Sequence, residues 1–404
     1  MPRSAAGQSF LNGGHANLPG SGYNPYGESS QMSKRIEYID IARGIGILLV
    51  VMGHNDFGVV SPFVYKVIYS FHMPLFFFLS GYFINPGVDF RTFLVKRFNS
   101  LLKPYFFTIF LIYFVSISFG RIGFETAIGR IIKSLYGAGY YIDWVQLWFL
   151  PHLFVVSVYA YFFYAVVSKI DSRVVRWLIL LLTLAAASLF LTTFYPYQLS
   201  VLGKEYELFG LPFSLDLVLL SGFFFILGSE TRHITSEGLF SHPLFFLLSG
   251  AAVVLLNLFF PQRIDFNTRL YESFLINTIG AVAGILFVLS LSRQVELHSP
   301  RLASLFKYFG RMSLILLIFH VPIQDSWGQR ILGVTGNPPL SIWLAFLMGV
   351  AGPVLIHELF IRANPVASFW FGREAEPPRR EKKESLPENA ALMEIQEGKK
   401  ISVN

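Results

Sequence analysis

The chain has 404 residues, of which 53% are hydrophobic and only 14% charged, against about 25% charged in an ordinary soluble domain. A soluble fold of this length needs a larger polar shell than these residues supply. The absence of cysteine excludes disulfides, thiol catalysis and Cys-ligated metals. A net charge of +7 raises nucleic acid as a partner, but the Lys and Arg sit between apolar blocks and in the tail. That is a pattern of membrane topology, so membrane lipids and no nucleic acid are expected as partners.

Residues 1–33 are rich in Gly, Ser, Asn and Pro, lack the apolar stretch of a cleaved signal peptide, and read as a disordered cytoplasmic leader. Residues 34–362 read as one transmembrane domain. Its apolar segments approach the roughly 20 residues that span a bilayer as helix. They number about ten and run over 37–56, 62–84, 102–120, 145–168, 174–195, 210–228, 240–260, 271–292, 303–324 and 340–361. Open strands cannot satisfy their backbone groups in lipid, so the expected fold is all-α, a polytopic transmembrane helical bundle. No internal repeat argues for a transporter with inverted halves. Residues 363–404 mix Glu, Lys, Arg and Pro and read as a charged cytoplasmic tail.

Orientation follows from Lys and Arg. Lys34 and Arg35 precede the first span. Arg91, Lys96, Arg97 and Lys103 mark the second loop, Lys169, Arg173 and Arg176 the fourth, and Arg293, Arg301 and Lys307 the eighth. The opposite loops 196–209 and 325–339 carry only Lys204 and Arg330. Both termini are therefore expected in the cytoplasm. Loop 121–143 holds Arg121, Arg130 and Lys133 on the outer side. Its Ile128, Ile131, Ile132 and Leu135 recur at helical spacing, which predicts an amphipathic helix on the surface.

Ionisable residues inside a membrane helix cost several kcal/mol and normally face partners or a water-filled cavity. The first span holds Asp40, Arg43 and His54. Arg43 and His54 differ by only about 20° around a helix and stand roughly 16 Å apart along it, with Asp40 about 60° from Arg43, so the three share a face. Gly44, Gly46 and Gly53 strip bulk from the same helix and allow close packing. Asp40 and Arg43 read equally well as an i,i+3 pair anchoring a helix end at the headgroups. His54 reads as functional, because a neutral imidazole is the natural proton acceptor for a hydroxyl. His72 and His320 lie in apolar runs, each two positions before a proline that frees a backbone carbonyl; either could instead simply pack. His152 and His357 are weaker candidates. No His and carboxylate pair has ligand spacing on one helix face, so no metal is expected. Phosphate-binding loops and a Gly-x-Ser-x-Gly elbow are absent.

The run Arg35-Ile36-Glu37-Tyr38-Ile39-Asp40-Ile41-Ala42-Arg43-Gly44, followed by His54, resembles the opening of the acyltransferase-3 family of membrane O-acyltransferases. That family carries an Arg and a His with ten residues between them in its first span, as Arg43 and His54 stand here. Further stretches resemble it in the same order: Phe71-His72-Met73-Pro74 through Gly81-Tyr82, Leu101-Leu102-Lys103-Pro104-Tyr105, Leu147-Trp148-Phe149-Leu150-Pro151, and Gly310-Arg311-Met312-Ser313 leading to His320. The likeness is greatest to the fucose 4-O-acetylase-like branch.

The resemblance implies transfer of an acyl group, most often acetyl from acetyl-CoA, to a hydroxyl of a surface polysaccharide or lipid-linked sugar. Acetyl-CoA is then a substrate, with no bound cofactor. It implies catalytic roles for His54, Arg43 and Asp40, and contact of Lys96, Arg97 and Lys103 with the CoA phosphates, although this cluster departs from a clean Arg-x-Arg pattern. Those charges equally fit a positive-inside bias. His72, Trp148 and His320 would line the acceptor side or support it. The expected location is a bacterial inner membrane. The rival readings are a non-enzymatic transporter or flippase of a lipid-linked sugar, and a scaffold whose histidines merely pack; neither has a reason to bind CoA.

Overall fold

A computed structural model describes residues 36–234, 237–260, 262–271 and 273–371. The expected leader, Lys34, Arg35 and the tail from residue 372 lie outside the described residues. In chain order the helices are α1 (Glu37–Gly53), α2 (Phe57–Val60), α3 (Pro62–Gly81), α4 (Phe90–Arg97), α5 (Lys103–Ser118), α6 (Phe124–Leu135), α7 (Phe149–Val167) and α8 (Arg173–Phe194). A hairpin of β1 (Tyr197–Val201) and β2 (Lys204–Leu208) follows, then α9 (Val218–Ile234), α10 (Glu237–Ser241) and α11 (Pro243–Phe259). The short antiparallel pair β3 (Ile264–Asp265) and β4 (Leu270–Tyr271) precedes α12 (Phe274–His298), α13 (Pro300–Arg311), α14 (Ser313–Thr335), α15 (Pro338–Ile356) and α16 (Pro365–Trp370).

The fold is all-α apart from the two hairpins, and the chain is a multi-pass membrane protein. Among the described residues seven helices are long and apolar enough to cross a bilayer, or eight if the bent pair α13–α14 is one span. Ten crossings are not reached on that measure. The helices at the first and seventh expected spans, α1 and α11, have 17 residues each. Helix α1 also carries Glu37, Asp40 and Arg43. Lipid-facing character is plain on α8, which exposes Leu178, Leu182 and Leu189.

Three segments differ from expectation. The third expected span, 102–120, begins earlier: Asp89 caps α4 by accepting from the Thr92 amide at 3.0 Å, and hydrogen bonds from Thr92 hold its carboxyl below the usual range. A π-helical segment, Phe98–Leu102, then joins α4 to α5, so Phe90–Ser118 is one 29-residue candidate span. Arg91, Lys96, Arg97 and Lys103 therefore sit within a helix and not in a loop. The ninth, 303–324, is broken by a 78° bend between α13 and α14, and α14 runs on to Thr335. Residues 365–370, expected as tail, form α16, whose Trp370 ring stacks on Phe107 of α5 at 5.2 Å. Loop 121–143 contains the expected amphipathic helix, α6, with Ile128, Ile132 and Leu135 exposed and Ala127 and Ser134 buried.

Glycines bring the backbones of the central helices together. A Cβ on Gly44 of α1 would collide with the Phe306 carbonyl of α13, and one on Gly310 with the Asp40 carbonyl. The same holds between α3 and α9, where Gly81 meets Phe225 and Gly228 meets Phe78. Hydrocarbon gives helices no hydrophobic reason to associate, so backbone approach of this kind supplies the dispersion contacts that hold them.

Candidate functional site

Helix α1 ends at Gly53, and every one of its last four carbonyls has a donor, which is what fixes the residue that follows. His54 and Asn55 backbone amides donate to Val50 and Met52 at 3.1 and 3.3 Å. The Gln324 amide of α14 donates to Val51 at 2.9 Å, and the Tyr69 hydroxyl of α3 to Gly53 at 3.3 Å. The Asn55 side chain in turn donates to the Ile342 carbonyl of α15 at 2.5 Å. Orphan carbonyls at a helix end need partners, and here three other helices provide contacts around the turn that presents His54.

His54 lines a cavity of about 360 Å³, whose wall includes Asp56, Tyr65 and Tyr69. Asp56 sits at a left-handed φ of 41°, a conformation that costs a non-glycine residue energy and clusters at functional sites. The Tyr65 and Tyr69 rings lie 4.4 Å apart. Tyr69 packs edge-on to His72 at 4.7 Å, and the Arg263 guanidinium lies 5.5 Å from its centroid. Arg263 pairs with Asp265 at 3.9 Å, and Asp265 lies within electrostatic reach of His54.

Behind His54 stands His320, fully buried, with ring centroids 5.3 Å apart and a 59° tilt. His320 Nδ1 bonds the Leu316 and Leu317 carbonyls at 2.7 and 3.0 Å, while its Nε2 is buried without a hydrogen-bond partner. Leaving such an atom unpaired costs about 1–3 kcal/mol. The carbonyl that Pro322 frees, Ile318, accepts from the Gln146 side chain at 2.8 Å, so the helix passes its proline without an unsatisfied group. His72 Nδ1 similarly bonds Ile68 at 2.9 Å.

The other expected residues fall elsewhere. Arg43 and Asp40 pair at 3.7 Å toward the start of α1, and the Arg43 guanidinium lies 5.6 Å from the Phe83 ring. Arg97 lies against Phe93 of its own helix. Lys103 rests on Phe369 of α16 at 4.0 Å, and Lys96 is exposed. Trp148 stacks on His152 at 5.4 Å, and His152 bonds Ser221 and the Phe213 carbonyl at 2.8 and 3.1 Å, a packing role. His357 bonds Glu358, which also holds Tyr308 and Arg362.

Sequence reasoning missed Tyr65, Tyr69, Gln146, Gln324, Arg263 and Asp265. A polar amide inside an apolar run was a usable signal for Gln146 and Gln324. Nothing local marked Arg263 and Asp265, which lie in a connecting segment.

A family model described as an acyltransferase domain matches residues 36–358, which takes in the whole of this arrangement. No curated protein and no solved structure matches the chain at a significant level.

Proposed function

The chain belongs to the acyltransferase-3 family and is a membrane acyltransferase; from that premise we propose that it moves an acetyl group from acetyl-CoA to a hydroxyl of a surface polysaccharide or lipid-linked sugar, in a bacterial inner membrane, with His54 as general base. The observation that carries this reading is the placement of His54 on the wall of the 360 Å³ cavity, at a helix end capped from neighbouring helices. The acceptor O–H gives its proton to His54, its oxygen attacks the thioester carbonyl carbon, the C–S bond breaks, and the proton passes to the departing sulfur. A sugar ring suits a recess walled by tyrosine rings, an imidazole and a carboxylate, since ring faces and a few placed polar groups fix its orientation.

Purified protein given acetyl-CoA and polysaccharide is expected to release free thiol and to leave acetyl esters detectable by mass spectrometry. Failure to bind or consume acetyl-CoA overturns the reading in favour of a lipid-linked sugar transporter.

Donor binding is assigned to the basic side chains of α4 and α5, with both termini cytoplasmic. Arg suits phosphate oxygens through its fork and Lys as a point charge. Arg43, with Asp40 beside it, would lie deeper on the same path. Changing Arg97 and Lys103 together to Gln is expected to raise KM for acetyl-CoA by roughly 10²- to 10⁴-fold, each lost charged hydrogen bond being worth about 1.5–3 kcal/mol. KM for the sugar should stay within about twofold. Equal effects on both substrates would reduce these charges to topology signals.

A further inference from the structure

Carbonyl oxygens only accept, so the two carbonyls at His320 Nδ1, Leu316 and Leu317, require the hydrogen on that nitrogen. In the neutral ring Nε2 is then a lone-pair acceptor, and it is this atom that is buried without a partner. Its direction is set by the helix. His320 and Gln324 are four positions apart on one face of α14, and Gln324 donates to Val51, so that face meets α1 just before His54. From the other side Gln146 holds the Ile318 carbonyl at 2.8 Å, which pins α14 two residues before His320. The ring facing His320 across this clamped interface is His54, at 5.3 Å between centroids. Two imidazoles joined by an N–H···N bond of about 2.9 Å have centroids about 5 Å apart, so the rings already stand at the bonded separation, and rotation about their side-chain bonds is what brings the two nitrogens into line.

We infer that His320 is the positioning residue of His54: its Nε2 accepts a hydrogen bond from one ring nitrogen of His54. This rests on His54 being the general base. The bond settles which nitrogen of His54 carries hydrogen at rest and leaves the other, with its lone pair, toward the acceptor hydroxyl. When His54 takes the hydroxyl proton, both its nitrogens carry hydrogen, and the His320 lone pair stabilises the imidazolium until the proton reaches the thiolate sulfur. His320 itself neither gains nor loses a proton. The arrangement does with a neutral imidazole what a carboxylate does behind a catalytic histidine, without placing a second net charge among apolar helices.

The test is a set of steady-state measurements on full-length protein in detergent, corrected for folded fraction by size-exclusion profile. His320→Leu removes the acceptor and is expected to lower kcat roughly 10- to 100-fold, as losing an orienting partner commonly does, with KM for acetyl-CoA and for sugar unchanged. His320→Gln, whose side-chain oxygen can accept in place of Nε2, should recover about tenfold of that loss. In a His54→Gln background His320→Leu should cause no further loss, because its effect runs through His54. A wild-type rate in His320→Leu, an equal defect in His320→Gln, or the same loss in the His54→Gln background overturns the inference. Undiminished activity of His54→Gln alone would instead overturn the proposed function, so the two failures are distinct.

Discussion

His54→Gln is expected to lower acyl transfer by roughly 10²–10⁴-fold, the range contributed by a positioned general base, while membrane insertion and thermal stability stay as in the wild type. Glutamine can occupy the turn, because the turn does not depend on the imidazole. Its geometry comes from the Gln324, Tyr69 and Asn55 hydrogen bonds and from backbone amides. What glutamine cannot do is take a proton near neutral pH. The discriminating measurement is thiol release per folded molecule, with and without the sugar. Polysaccharide acetylated to the wild-type level by this variant would remove His54 from the chemistry. A variant that fails to accumulate in the membrane would mean that the imidazole holds the fold as well as serving the chemistry.

The largest expected effect on stability lies at Arg269 and Asp216. Their side chains are fully buried and meet through two bonds, at 2.9 and 3.2 Å. Arg269 also donates to Ser214 at 3.1 Å and to the Asn267 carbonyl at 2.7 Å, and Asp216 accepts from the Leu211 amide at 2.9 Å. This pair ties the β3–β4 hairpin to the entry of α9. Asp216→Leu leaves a buried guanidinium with its charge unbalanced, and breaking such a pair costs about 3–5 kcal/mol. A fall in the apparent melting temperature on the order of 10 °C should follow in detergent. The double variant Asp216→Leu, Arg269→Leu should be milder than Asp216→Leu, since it strands no charge. A double variant as damaged as the sum of the singles would mean that packing, not charge pairing, holds the hairpin.

How much of this was legible beforehand differs from element to element. Helices such as α3, α7, α8 and α12 lie where apolar runs of bilayer length predict them, because in lipid a backbone satisfies itself locally and length with composition suffices. Helix α6 was visible from the spacing of Ile128, Ile131, Ile132 and Leu135. The π-helical join at Phe98–Leu102 and the 78° break beside Met312 were not. Both depend on what packs alongside: for α13 that is the approach of Gly310 and Phe306 to α1, which no local pattern encodes.

The site divides in the same way. By itself the sequence determined the membrane class, the family, and the position of a histidine near the end of the first helix, eleven residues after Arg43. Membrane class and the histidine follow because composition, periodicity and spacing within one helix are local quantities; the family follows from blocks such as Phe71-His72-Met73-Pro74 and Gly310-Arg311-Met312-Ser313 that resemble it in the same order. Only the tertiary structure decided which side chains surround that histidine. Gln324 reaches Val51 across 273 positions of chain, Gln146 reaches Ile318 across 172, and His320 comes to face His54. Which helix neighbours which, and at what rotation, is set by the sum of small-residue contacts and side-chain interlocking over the whole bundle. Two histidines in separate apolar runs carry no mark of being a pair until that packing brings their rings together.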